Sequence, residues 1–215
     1  MSLCTERMIK IEAYSNLVIA ERTGDLRHDI KQFLIQNGHE ETAEHCIKVG
    51  EEAERIAKRF GEEQEAALYA GYLHDISTVY PNGIRIQVAR SLGIDVLPEE
   101  ELFPMIMHQK ISRQMAKDLF YVEDVQILDA VGCHTTLRKN ATRLDNVLFV
   151  ADKIAWDQQG TPPYIEDIVP ALDKSLEHGS FAYINYLWIQ KEKLKVVHPW
   201  LADAYNELKP LVGEA

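Results

Sequence analysis

Apolar residues recur at helical spacing along almost the whole chain, and this periodicity limits the fold more than any other feature. Val49, Ala53 and Ile56, for example, fall on one face of an amphipathic helix. No segment alternates apolar and polar residues as a half-buried strand would. The sequence therefore predicts an all-α protein.

Glycine and proline mark the breaks between the periodic segments. We predict helices near 5–22, 25–37, 40–60, 62–75, 83–92, 104–120, 122–134, 143–156, 164–177, 180–195 and 199–209. The segment 157–163 contains Gly160, Pro162 and Pro163 and cannot continue a helix, so we expect an exposed loop there. It divides a single domain, 1–215, into a first part at about 40–157 and an aromatic-rich C-terminal part at about 164–209, which we expect to pack together.

Charge and cysteine content exclude several classes of protein. The chain has 23 basic and 34 acidic residues and a net charge of −11, which disfavours extended binding to nucleic acid or to anionic membranes. No apolar run is long enough for a membrane span. The three cysteines form no disulfide or zinc-ribbon pattern, so we expect reduced thiols, with Cys46 and Cys133 in the core. These features predict a cytoplasmic location.

Six side chains that can bind metal lie on the apolar faces or at the ends of five predicted helices. They are His45, His74, Asp75, His108, His134 and Asp152. Burying a carboxylate costs several kcal/mol unless it is paired or bound to a metal. A lone inward histidine is more often an ordinary core residue, but that interpretation would have to hold separately for all six. A metal centre explains them together.

The ligand types restrict the metal and the chemistry. Imidazoles and carboxylates without thiolate suit iron, manganese, zinc or another first-row ion. Six protein ligands are too many for one catalytic ion but suit two ions that share a carboxylate, and Asp75 is the natural bridge. Two such ions generate hydroxide at neutral pH and bind phosphoryl oxygens. His74 and Asp75 are the predicted catalytic residues.

The ordered motifs resemble a known family. His45, Tyr72-Leu-His-Asp-Ile76, His108, Cys133-His-Thr-Thr136 and Phe149-Val-Ala-Asp152 are similar to the HD superfamily of metal-dependent phosphohydrolases. The nearest branch is the bacterial YqeK-like group, which hydrolyses diadenosine tetraphosphate symmetrically to two ADP. The resemblance implies an all-α HD-domain bundle with two divalent ions, iron by preference and otherwise manganese, zinc or cobalt. It also implies a nucleotide substrate.

The resemblance further implies roles for individual residues. His45, His74, Asp75 and Asp152 would hold one ion, while Asp75, His108 and His134 would hold the other. Arg138 would be a phosphate ligand, since that branch has a basic residue there. Lys110 and Lys153 are further candidate phosphate ligands, since such cations would neutralise charge on the leaving phosphate.

The chain departs from the branch at Thr78, where a lysine is usual, and at Gln109 and Lys110, where glycine is favoured after the histidine. The segment after Asp152 also differs. A nucleotidase, a nucleoside triphosphatase, a phosphodiesterase or a catalytically silent nucleotide sensor therefore stays open as an alternative. A homodimer through the aromatic C-terminal helices is a further expectation.

Overall fold

A computed structural model describes residues 12–156 and 158–213. Its α-helices are α1 (Leu26–Gln36), α2 (Glu40–Phe60), α3 (Gln64–Leu73), α4 (Arg85–Ser91), α5 (Pro98–Leu102), α6 (His108–Leu119), α7 (Val125–Cys133), α8 (Arg143–Ile154), α9 (Ile165–Leu172), α10 (Leu176–Trp188) and α11 (Pro199–Leu211). Short 3-10 turns lie at Ile76–Val79, Asn82–Ile84, Pro104–Met107 and Lys191–Lys193. The described ranges contain no strand, which confirms the all-α prediction.

The long helix α2 has the predicted limits, because both of its ends are encoded locally. Glu40 and Glu41 lie in its first turn and Lys58 and Arg59 in its last turn, where each charge interacts favourably with the helix dipole. Gly61 ends the helix in the left-handed region at φ 74°.

The predicted helix at 5–22 is wrong over most of its described part. Its residues 5–11 lie outside the described ranges, and of residues 12–22 only 12 and 13 are helical. The chain then turns and continues without regular structure to residue 23, where Asp29 accepts from the N–H groups of Thr23 and Gly24. The apolar residues of that segment have helical spacing, but the chain there is irregular and they make their contacts without a helix.

The predicted break at Gly179, between the helices at 164–177 and 180–195, is also wrong. The helices α9 and α10 instead separate at residues 173–175, where the Ser175 side chain accepts from the His178 N–H and caps α10. Gly179 lies inside α10, where an added Cβ would be 3.0 Å from Cδ1 of Leu172. The glycine thus permits close packing of α9 on α10 rather than a turn.

The helices α2 and α3 approach each other closely at a pair of glycines. A Cβ built on Gly71 would lie 2.4 Å from the Cα of Gly50, and one built on Gly50 would lie 2.5 Å from the ring of Tyr72. Only hydrogen atoms fit between the two backbones there. This contact brings the first turns of α2 and the end of α3 together.

The C-terminal part packs on the first part through α10, which contacts α8. Phe149 on α8 meets Tyr183 edge to face at 5.6 Å, and Tyr164 meets the same tyrosine at 4.7 Å. Trp188 stacks on Tyr205 at 4.2 Å. Many of the C-terminal aromatics thus pack within the chain, and a homodimer through this part stays a prediction.

A buried ionic cluster joins α11 to the first part. The carboxylate of Glu100 is fully buried and lies 2.8 Å from Nζ of Lys110 and 3.2 Å from Nε2 of His198. The other ring nitrogen of His198 accepts from the Trp200 N–H, which leaves its Nε2–H to donate to Glu100. Burial alone would raise the pKa of Glu100, but the donors around it lower it below the usual value.

None of the helices in the described ranges has the length and apolar character that crossing a membrane requires.

Candidate metal centre

The six predicted metal ligands converge on one cluster. His45 lies in the second turn of α2, while His74 and Asp75 directly follow α3. The remaining three are His108 at the start of α6, His134 just after α7, and Asp152 on α8. Residues distant in sequence thus share one small volume.

One half of the cluster surrounds Asp152. Its Oδ1 lies 3.4 Å from Nε2 of His45 and 3.5 Å from Nε2 of His74. The ligand atoms of these three residues lie within 4.8 Å of one another, close enough to bind a common ion. The rings of His45 and His74 meet edge to face, with centroids 5.1 Å apart.

The other half surrounds Asp75, whose two oxygens face in different directions. Its Oδ2 lies 3.6 Å from Nε2 of His74. Its Oδ1 lies 3.3 Å from Nε2 of His108 and 3.6 Å from Nε2 of His134. The carboxylate therefore touches both halves of the cluster, as a bridging ligand must.

The backbone fixes the tautomer of three of the histidines. In each, Nδ1 lies against the carbonyl oxygen three residues earlier: His74 on Gly71 at 2.7 Å, His108 on Met105 at 2.6 Å and His134 on Val131 at 2.8 Å. A carbonyl only accepts, so each Nδ1 carries the proton. Each Nε2 atom consequently faces the cluster, as in metal-binding histidines.

The donor set fits a cation. Nε2 of His108 and Nε2 of His134 are 2.9 Å apart, and two facing lone pairs at that distance repel unless a cation lies between them. Two nitrogens bound to one ion at about 2.1 Å and at right angles are about 3 Å apart. Nε2 of His74 and Oδ1 of Asp75 are buried and have no hydrogen-bond partner within the described residues. Such atoms are expected to bind a ligand.

The ionisation states of the side chains in the cluster favour the binding of a cation. Burial would raise the pKa values of Asp75 and Asp152, but facing imidazoles, and Lys153 beside Asp152, hold both well below the usual range. Burial opposes a charged His74, yet Asp75 and other neighbours raise its pKa well above the ordinary value. Burial lowers the pKa of His108 to about 4. The carboxylates thus stay ionised, ready to bind a cation.

The carboxylates form the open side of the cluster. The side chains of Asp75 and Asp152 are 19% and 17% exposed, whereas His74 is fully buried. Among these three residues, the two aspartates are therefore the more accessible to solvent.

Two buried serines, which the sequence analysis missed, tie the Asp75 turn to α6. The Ser77 hydroxyl donates to the His108 carbonyl at 2.8 Å, and the Ser112 hydroxyl accepts from the Ser77 N–H at 3.1 Å. Ser112 lies four residues after His108 on the buried face of α6. The criterion that selected the histidines, a polar residue on an apolar face, would have found it.

Gln109 holds the His134 turn in a similar way. It is fully buried, and its Oε1 accepts from the N–H groups of Thr135 and Thr136 at 3.1 and 3.3 Å. The Thr135 hydroxyl lies 3.0 Å from Nε2 of His108. The sequence showed Gln109 as a departure from the family pattern, and the structure gives it a positioning role.

We expect Gln109→Leu to weaken the cluster without touching a predicted metal ligand. The change removes the acceptor of the Thr135 N–H and of the buried Thr136 N–H, which costs roughly 1–3 kcal/mol in the free energy of unfolding. The loosened turn should also lower the metal content, measured by elemental analysis beside denaturant unfolding. Gln87→Leu is the control, because Gln87 is exposed on α4. Equal metal content and stability in the two variants would refute the positioning role of Gln109.

The three predicted phosphate ligands lie in different settings. Lys153 is buried beside the cluster, where its ammonium pairs with Asp152 and donates to the His134 carbonyl at 3.1 Å. The Arg138 guanidinium pairs with buried Asp145 at 2.8 Å and with Asp129 at 3.2 Å and keeps 29% of its side chain exposed. The ammonium of Lys110 is held by Glu100. Their phosphate-binding roles stay predictions.

The segment that carries the cluster matches a known protein family. A family model described as "HD domain" matches residues 42–157. A Lactococcus lactis subsp. cremoris protein, named as uncharacterized and encoded in the pepC 5′ region, is 39% identical over 179 residues, 83% of this chain and 90% of that protein. The symmetrical bis(5′-nucleosyl)-tetraphosphatase of Bacillus subtilis is 29% identical over 167 residues, 76% of this chain and 87% of that enzyme.

A solved structure has the same fold. It is a Clostridium acetobutylicum protein described as a predicted HD superfamily hydrolase involved in NAD metabolism, with a TM-score of 0.77 and 24% sequence identity. The alignment covers 86% of this chain and 97% of that one. At this identity the likeness extends to the fold alone.

Proposed function

The chain belongs to the HD-domain family of phosphohydrolases, and from that premise we propose that it hydrolyses dinucleoside polyphosphates symmetrically, with diadenosine tetraphosphate giving two ADP. One observation carries the proposal: four imidazoles and two ionised carboxylates meet, and among the described residues Nε2 of His74 and Oδ1 of Asp75 have no hydrogen-bond partner. The name of the Bacillus subtilis relative supports the substrate class.

We assign the ligands from the distances within the cluster. His45, His74 and Asp152 would hold one ion, and His108 and His134 the other, with Asp75 between them because its oxygens face both groups. We propose iron, with manganese, zinc or cobalt as alternatives. When bound, two such ions supply a water of lowered pKa and neutralise charge on phosphoryl oxygens.

The protein's own residues would position the substrate and these ligands. The three backbone carbonyls orient the imidazoles, and Ser77 and Gln109 hold the turns that carry Asp75 and His134. Among the three cations we assign the first phosphate contact to Lys153, which lies beside Asp152. Arg138 would act at the exposed edge. We assign Lys110 no direct contact, since its partner Glu100 is not one of the carboxylates of the cluster.

The test combines metal analysis with a substrate panel. Protein purified without chelator is expected to contain two divalent ions per chain and to convert diadenosine tetraphosphate to ADP as the only nucleotide product. Chelation should abolish this activity, and iron, manganese or cobalt should restore it. ATP and AMP as products would contradict symmetric cleavage. Phosphate release from AMP alone would make the protein a nucleotidase, and tight nucleotide binding without turnover would make it a sensor.

A further inference from the structure

A cavity of about 180 Å³ lies beside the candidate metal centre, between the first part and the C-terminal part of the chain. From the first part, Phe103, Ile106 and Thr135 line it. More than half of its lining comes from residues after 157, among them Tyr183, Leu194 and Val196. The segment that matches the family model thus forms only one wall of this cavity.

Two lining residues connect this cavity to the metal centre. The Thr135 hydroxyl lies 3.0 Å from the Nε2 of His108 that faces the cluster. The ring of Tyr183 has its centroid 5.3 Å from Nζ of Lys153, which pairs with Asp152. A molecule whose phosphate lies over the cluster could therefore place an attached group in the cavity.

The lining fits an aromatic ring rather than a second phosphate. Most of it is apolar, with two aromatic side chains, Phe103 and Tyr183, and one lysine, Lys195. The Lys195 ammonium lies 4.8 Å from the centroid of the Phe103 ring. A dry apolar cavity of about 150 Å³ is enough to bind benzene. The volume, aromatic lining and position suit a flat heterocycle.

We propose that this cavity binds a nucleobase of the substrate, so that residues 183–201 select for nucleotides over other phosphate compounds. The inference rests on the proposed function, because it assumes that the phosphates lie at the metal centre. The threonine and lysine side chains can donate to ring or exocyclic acceptors, and the aromatic side chains supply stacking surface. Stacking of a base on such side chains contributes on the order of tenfold to a hundredfold in affinity.

Filling the cavity tests the proposal. Val196 is half-buried in the lining, whereas Lys193 is exposed and lies outside it, so Lys193→Trp is the matched control for Val196→Trp. Binding of ADP and of inorganic tripolyphosphate, which lacks a base, is measured by calorimetry on metal-loaded full-length protein. Val196→Trp should weaken ADP binding at least tenfold and change tripolyphosphate binding less than twofold. The control should change neither.

Two results would overturn the base site: ADP binding unchanged by Val196→Trp, or equal losses for ADP and tripolyphosphate. If Val196→Trp does not fold, Leu194→Ala serves instead, because it removes apolar lining and should weaken only ADP binding, by roughly threefold to tenfold. Turnover of diadenosine tetraphosphate is scored separately. Selective ADP loss without any turnover would refute the proposed function and leave the base site standing.

Discussion

Asp75→Asn is expected to lower turnover at least a hundredfold and to leave fewer than two ions per chain. The change removes a negative charge from the carboxylate that faces both halves of the cluster, at 3.6 Å from His74 and 3.3 Å from His108. An amide is a weaker ligand for a divalent ion and carries no charge to balance it. Removing even one electrostatic contact to a reacting group typically lowers the rate about 100-fold to 1000-fold.

The measurements are metal content by elemental analysis and ADP formation from diadenosine tetraphosphate. Asp173→Asn makes the same chemical change at a position where 65% of the side chain is exposed, so it should leave both unchanged. Circular dichroism establishes that both variants are folded. If Asp75→Asn kept two ions and full activity, the assignment of Asp75 as a bridging ligand would be refuted.

Gly71→Ala is expected to destabilise the protein by about 1–3 kcal/mol in the free energy of unfolding. Helix propensity alone predicts the opposite, since alanine favours a helix interior over glycine by about 1 kcal/mol. The close approach of α2 and α3 should decide the sign of the stability change, because the added Cβ would lie 2.4 Å and 2.5 Å from the Cα and N of Gly50. These are backbone atoms of α2, so the two helices would have to separate.

The separation should also reach the metal centre. The Gly71 carbonyl accepts from Nδ1 of His74, and His45 lies on the helix that would be displaced. We therefore expect weaker metal binding together with a thermal midpoint lowered by roughly 2–12 °C. Gly83→Ala is the matched control, since its Cβ would meet nothing within 4 Å and its φ is not positive. A Gly71→Ala protein as stable as the control would show that the two helices can separate without a loss of stability.

The all-helical fold and the convergence of six polar residues could be predicted from sequence for the same reason. Apolar periodicity reports which side of a helix is buried, so a histidine or aspartate in register with that side must point inward. His45, in register with Val49 and Ala53, shows this most directly. The rule was applied to titratable residues alone, which is why it passed over Ser112.

Ion pairs between different elements could not be predicted, even where the partners are close in sequence. Lys110 pairs with Glu100 and Arg138 pairs with Asp145, and neither pair has a spacing that marks it. Gly179 was misread for a related reason, because a glycine that ends a helix and one that admits a neighbouring helix look alike in sequence. The cavity beside Thr135 is formed by two parts of the chain and has no motif of its own.

The buried carboxylate of Glu100 limits how this protein can be divided. A fragment ending near residue 157 would retain the whole segment that matches the family model but would lose His198. It would also uncover the face of α8 on which α10 packs. Stripping one partner from a buried charged group commonly costs several kcal/mol, a large share of a domain's total stability. We therefore expect the C-terminal helices to belong to the same folding unit, and the segment that matches the family model to be unstable by itself.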